Sequence, residues 1–184
     1  EENLWEGDSR PQNFDRRPAL VVLGPAGSGK SSCVERGVEE VVEMGGKVLI
    51  VAPTGRLAAT YRTKYPNIDV DTIHAAFQLW KPERETLELM SQYNLIIIEE
   101  LGQIPAHTFD RLIRLWEAAG KVPTLVFLGD FWQLQGVEET RASHSPHWNS
   151  SLLKKTTLKT MKRCKCEELQ WKLELLRTAK PQEK

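Results

Sequence analysis

Residues 19–31 read ALVVLGPAGSGKS. Five apolar residues run without interruption into a glycine-rich turn, and the turn runs into a segment with helical character. Gly24 to Ser31 satisfies G-x-x-x-x-G-K-S at every fixed position, in the strand-then-helix context that the pattern requires. The residue types follow from the chemistry. Glycines let successive backbone N–H groups turn inward toward phosphate oxygens, and the start of the following helix adds the positive end of its dipole. Lys30 supplies a point charge for the β- and γ-phosphates, and Ser31 a hydroxyl for Mg²⁺. Gly24, Gly27, Ser28, Gly29, Lys30, Ser31 and Ser32 are therefore the expected nucleotide-binding set. The alternative, a glycine loop with a chance lysine, does not account for the full spacing. The motif specifies a phosphate-bearing nucleotide and leaves the reaction open.

Outward from this loop, strands and helices alternate. A helix is predicted from Lys30 to Met44, stopped by Gly45 and Gly46. KVLIVAP (47–53) reads as a strand closed by Pro53. Residues 56–65 have helical character and end before Pro66, and residues 69–80 hold a turn and a short helical piece. LIIIEE (95–100) reads as a third strand. Pro105 suits the start of a helix in which Phe109, Leu112, Ile113 and Trp116 share one face, with Gly120 as its stop. TLVFLGD (124–130) reads as a fourth strand. Strands without polar alternation, separated by helices, predict an α/β fold: a parallel sheet covered on both faces.

LIIIEE ends on paired acids. The acid-bearing strand is expected beside the strand that carries the phosphate loop, with Glu99 and Glu100 both reaching the phosphates. Such chemistry needs one acid to hold Mg²⁺ and another to take a proton from attacking water. A solvated strand end with two charges is the competing reading.

Composition narrows the alternatives. The 184 residues suffice for one large domain. With 25 basic and 25 acidic residues the net charge is zero, so any nucleic-acid contact must come from local patches. The longest apolar runs are too short to cross a bilayer, and no membrane contact is expected. The polar, acidic start is unlike a signal peptide. Three cysteines without a secreted framework favour reduced thiols inside a cell.

The expected organisation is an N-terminal arm at 1–18, a nucleotide-binding domain at 19–153, and a basic segment with a helix at 154–184. Lys154, Lys155, Lys159, Lys162, Arg163 and Lys165 make that segment a phosphate-backbone patch or a solvated linker. His144, His147, Cys164 and Cys166 do not match a zinc-finger spacing, and zinc is not expected. Cys33 reads as a small packing residue and His107 as solvent-facing. Phe131 and Trp132 suit either base stacking or core packing.

The stretch VFLGDFWQLQGV (126–137) closes the sequence argument. Gly129-Asp130-Phe131-x-Gln133-Leu134 closely resembles motif III of the Pif/RecD-like superfamily 1B helicases. The other segments fall in the same order. GPAGSGKS resembles motif I, VAPTGRLAAT (51–60) motif Ia, DTIHAAF (71–77) the T-I-H-x-x-F motif, LIIIEELGQI motif II and LKTMKRC (158–164) motif IV. The resemblance covers roughly residues 19–178.

It implies a P-loop NTPase with a RecA-like parallel sheet, the first motor domain of a DNA helicase that uses ATP and Mg²⁺ to move 5′→3′ on single-stranded DNA. By position, Ser31 and Glu99 would hold the metal and Glu100 would be the base. Lys30, Gln133 and Arg163 would act on the γ-phosphate, Arg163 from the side of a neighbouring lobe. Thr54, Gly55, Arg56, His74, Phe77 and Trp132 would line the DNA path.

Three departures stand out. Glu99 replaces the usual Asp, the Pro after Gln133-Leu134 is absent, and the chain stops just after motif IV. A second motor domain in cis is therefore expected, and the isolated chain is expected to bind ATP·Mg weakly, hydrolyse it poorly and not unwind DNA. Competing readings are a non-hydrolysing, nucleotide-dependent interaction module and a P-loop small-molecule kinase. The expected location is intracellular: nucleus or mitochondrion in a eukaryote, cytoplasm in a bacterium.

Overall fold

The computed structural model describes residues 18–24, 30–130, 142 and 145–157, with side chains described except at 30–33, 156 and 157. In chain order the elements are β1 (Ala19–Leu23), α1 (Lys30–Glu43), β2 (Val48–Ala52), α2 (Gly55–Lys64), β3 (Asp69–Thr72), α3 (Ile73–Phe77), α4 (Glu83–Ser91) and β4 (Leu95–Ile98). A short 3₁₀ turn (Leu101–Gln103), α5 (Ala106–Ala118), β5 (Thr124–Gly129) and β6 (Leu153–Thr157) follow. The strands form one parallel sheet in the order β3-β2-β4-β5-β1-β6. This is the expected P-loop NTPase architecture.

Strand alternation divides the core. Leu20, Val22, Ile50, Leu95, Ile97, Val126 and Leu128 pack on one face with Val34, Val38 and Val41 of α1 and Ala58 of α2. Val21, Leu49, Ile96, Ile98 and Phe127 pack on the other, against α5. There Phe109 meets Phe127 with ring centroids 4.9 Å apart. Phe109, Leu112, Ile113 and Trp116 are all buried, as their spacing predicts. The buried Trp116 indole N–H donates to the Pro123 carbonyl at 2.9 Å, so this buried donor is satisfied. Gly45 at φ +77° and Gly120 at φ +70° end α1 and α5 in the left-handed region where glycine avoids a Cβ clash.

The structure corrects one expectation directly. The acid-bearing strand β4 does not lie beside β1. It pairs with β2 and β5, and β5 separates it from the loop strand. All of these strands are buried on both faces, so their side chains carry no signal for which slot each one takes.

Two strands escaped the sequence reading because they lie at the edges. β3 reads DVDT, and β6 reads LKKTT. Edge strands do not require the continuous apolar run that marks a central one. β6 straddles the boundary expected at 153, and its ladder with β1 runs from Ala19–Leu153 to Leu23–Thr157. Helix α4 was also missed. Only Thr86 and Met90 are fully covered along it, and Thr86 Oγ1 donates to the Phe77 carbonyl at 2.8 Å.

Candidate functional site

Because the sheet is parallel, the C-terminal ends of β1, β2, β4 and β5 share one edge. In open parallel sheets ligands bind at that edge. Gly24 leaves β1 there, its N–H donating to the Gly129 carbonyl at 3.0 Å. The backbone at Lys30 opens α1. Gly24 is buried.

Glu99 remains in the ladder, its N–H donating to the Val51 carbonyl at 2.8 Å. Side chains alternate along a strand, so Glu99 follows Leu95 and Ile97 onto the face covered by α1 and α2. That is the side of the helix that the phosphate loop feeds. Asp130, half-buried, follows Val126 and Leu128 toward the same face.

Glu100 departs from this pattern. Its φ of 54° and ψ of 52° are left-handed, and its carbonyl accepts the Gln103 N–H at 2.9 Å. For a residue other than glycine this conformation costs about 1–2 kcal/mol. Backbone strain of this kind concentrates at functional positions. The turn keeps Glu100 close to Glu99, and the charges of both carboxylates reach Tyr61.

Leu101, fully buried, locks this turn against β5. A Cβ added at Gly129 would lie 2.9 Å from Leu101 Cβ and 3.4 Å from Leu23 Cδ2. The glycine of the Gly-Asp pair is thus a steric requirement for packing the acid turn against β5. Gly129→Ala is expected to destabilise the chain by about 1–3 kcal/mol through overpacking, read as a lower midpoint in chemical denaturation.

The sequence reading missed Tyr61. It lies on α2 with Leu57 and Tyr65, packed on the face that carries Glu99. Its phenol lies near enough to Glu99 and Glu100 to feel their charges. Burial first, then the charges of Glu99 and Glu100, push the phenol well above the ordinary tyrosine range. Burial likewise raises Tyr65. The available signal was the spacing of Leu57, Ala58, Tyr61 and Tyr65, one helical face with two phenols at its far end.

The expected DNA-facing residues divide. Thr54 caps α2, accepting the Leu57 N–H at 3.3 Å, and Thr54, Gly55, Arg56 and His74 are exposed. Phe77 is a correction. It is 0% exposed and belongs to the core beneath α5, so its ring offers no face to a base. The aromatic of the T-I-H-x-x-F stretch follows Ile73 by four residues, and the two bury the same face of the one-turn helix α3.

Gly27, Ser28, Gly29, Phe131, Trp132, Gln133 and Arg163 lie outside the described residues, as do the side chains of Lys30, Ser31, Ser32 and Cys33. His144, Cys164 and Cys166 also lie outside them. His147 Nε2 sits 3.1 Å from Asp110 of α5. His107 is exposed. In the basic segment, Lys155 Nζ donates to the Trp148 carbonyl at 2.9 Å and Asn149 Oδ1 at 3.2 Å, fastening the preceding loop.

Comparison with known proteins agrees with this fold. The chain aligns with the crystal structure of Pif1 helicase from Candida albicans at TM-score 0.54 and 22% identity, over 86% of this chain and 40% of that one. It aligns with Bacteroides sp Pif1 in complex with ADP-AlF4 at TM-score 0.56 and 20% identity, over 86% and 42%. Bacteroides Pif1 bound to ssDNA gives TM-score 0.56 and 19% identity, over 92% and 45%. The shared property is the fold, and the chain spans less than half the length of these structures. No curated protein sequence matches it. The family model for the AAA domain matches residues 14–184, and the chain belongs to that family.

Proposed function

We propose that this chain is the ATP-binding motor domain of a 5′→3′ DNA helicase, coupling ATP hydrolysis to movement on single-stranded DNA. The observation that carries the reading is the placement of two acids at the end of β4. Glu99 is held in register on the face of α1, and Glu100 is turned beside it in a left-handed conformation. The motif III resemblance and the Pif1 folds support the helicase assignment over other P-loop chemistries.

The donor chemistry fits Mg²⁺. Glu99 supplies a carboxylate on the face of α1, beside the helix that begins at Lys30 and Ser31, and hard cations of this kind take oxygen ligands. When bound, the ion neutralises charge developing on the β- and γ-phosphate oxygens. The chain's own groups do the rest. Backbone N–H groups of residues 24–32 cradle the phosphates, and the Lys30 ammonium balances the γ-phosphate. Glu100 accepts the proton of the attacking water as the water oxygen bonds to phosphorus and the bond to ADP breaks. Gln133 and Arg163 complete the γ-phosphate contacts, the latter with a second motor domain in cis. Thr54, Gly55, Arg56 and His74 offer hydroxyl, amide and cationic groups to a strand backbone. Stepping requires two lobes that close and reopen, so one lobe alone binds nucleotide without unwinding.

Steady-state ATP turnover with and without a single-stranded oligonucleotide tests the proposal. Stimulation by the oligonucleotide in the full-length protein, with unwinding of 5′-tailed duplexes only, is the expected result. Tight ATP binding with no turnover in either condition replaces it with a non-hydrolysing interaction module.

A further inference from the structure

Among the described residues β3 stands at one end of the strand order and β6 at the other. A strand in that position carries a row of backbone N–H and C=O groups that another chain can pair with, and proteins blunt such strands by shortness and charge. β3 is short. It runs four residues, DVDT, before Thr72 turns the chain into α3, its Oγ1 accepting the Ala75 N–H at 3.4 Å.

The charges around β3 are placed on both sides of it. Val70 packs with Ile50 and Ala52 on the face covered by α1 and α2. Alternation sends Asp69 and Asp71 to the opposite face. Asp69 agrees. Tyr93, packed on the α5 side, donates its phenol O–H to Asp69 Oδ2 at 2.7 Å, and Lys47 Nζ stands 3.9 Å from the same oxygen. Arg62 starts from α2, on the Val70 face. Its Nε donates to the Val70 carbonyl at 3.0 Å, and its Nη2 donates to Asp71 Oδ1 at 3.2 Å. A side chain that leaves one face and reaches a carboxylate on the other must pass around the strand. The guanidinium therefore lies beside β3, in the slot that a further strand would take. Asp71 is fixed for this contact, its Oδ1 also accepting the Thr72 N–H at 2.9 Å.

Folding stability does not account for the pair. The Arg62 and Asp71 side chains are 51% and 42% exposed, and ion pairs this exposed contribute little to it. The other end of the sheet supplies a reason. β6 reads LKKTT, and Lys155 follows the core residue Leu153 onto the α5 side, the side of both aspartates. The acidic end of one sheet thus matches the basic end of another.

We propose that Arg62 straps the β3 edge and prevents it from adding β6 of a second copy of this chain. Its planar fork suits the task, one arm occupying the Val70 carbonyl while Asp71 holds the other. Without it, Asp71 is left to attract the neighbour's Lys155. Such a contact is head-to-tail and does not close on itself, so assembly through it continues past a dimer. The proposal does not rest on the ATP or DNA assignments.

Sedimentation velocity of the whole chain over a concentration series tests it. Arg62→Met keeps the aliphatic stem and removes the fork, and its melting temperature should stay near that of the parent. The variant is expected to assemble at about tenfold lower concentration than the parent, the weight of one hydrogen bond to a charged group. The particles should grow beyond dimers and shrink with added salt, which screens the acidic and basic ends. Amide hydrogen exchange should slow in both 69–72 and 153–157 as the variant assembles. Arg62→Gln is the second variant should the methionine chain not fold. A folded variant that assembles no more readily than the parent overturns the proposal. Particles that stop at dimers, or assembly without slower exchange in both strands, overturn it as well.

Discussion

Glu100→Gln is expected to lower ATP turnover by about 10²–10⁴-fold while nucleotide affinity stays within about twofold, the signature of losing a general base. Single-turnover hydrolysis and an equilibrium nucleotide titration measure the two effects separately. Glutamine keeps the side-chain volume and the backbone turn but cannot accept the proton of water. Glu100→Gly makes an informative partner. It removes the same base and also relieves the left-handed strain at φ 54°, so that variant should be equally inactive and more stable by about 1 kcal/mol. A gain in stability with loss of turnover would show that the strained backbone is retained for chemistry. The assignment reverses if Glu99→Gln is harmless and Glu100→Gln abolishes binding. The two acids would then have exchanged roles despite their different backbone geometry.

Phe77→Ala should cost about 3–5 kcal/mol in stability, the range for removing a fully buried aromatic ring. Phe77 has no solvent exposure, and its backbone carbonyl is tied to Thr86 of α4. The ring thus anchors the short helix α3 and the α3–α4 connection against the core. A base-stacking aromatic behaves differently. Its truncation weakens single-strand binding by about 1–3 kcal/mol and leaves unfolding almost unchanged. Urea denaturation and oligonucleotide titration on the same variant separate the two roles. The buried position predicts a large shift in the first measurement. Wild-type stability with weakened DNA binding would restore Phe77 to the DNA path.

How far the site was legible depended on how local its determinants are. Gly129 was noticed as a motif letter, but its reason is the approach of Leu101, 28 positions earlier in the chain. Glu99 and Glu100 were visible as a pair, with both expected to reach the site. Their separate orientations come from a ladder bond to β2 and a left-handed turn. Tyr61 fell inside a segment read only as helical, because nothing near it in sequence indicates the paired acids. Phe77 matched a motif whose aromatic was assigned to DNA, and burial was the property that the motif alone did not carry.

The amino-acid sequence by itself determined the phosphate loop, the parallel character of the sheet and the helices that cover it. Those features depend on short-range physics. Glycine spacing sets where backbone N–H groups can converge, continuous apolar runs mark strands covered on both faces, and a periodic apolar stripe marks a helix against a sheet. Only the tertiary structure decided that β5 stands between β4 and β1, that the polar segments DVDT and LKKTT take the two ends of the strand order, and that a tyrosine from α2 comes near the paired acids. Each of these depends on which distant segments pack together. Interchangeable buried strands and weakly patterned edge strands leave that choice to the packing of the whole core.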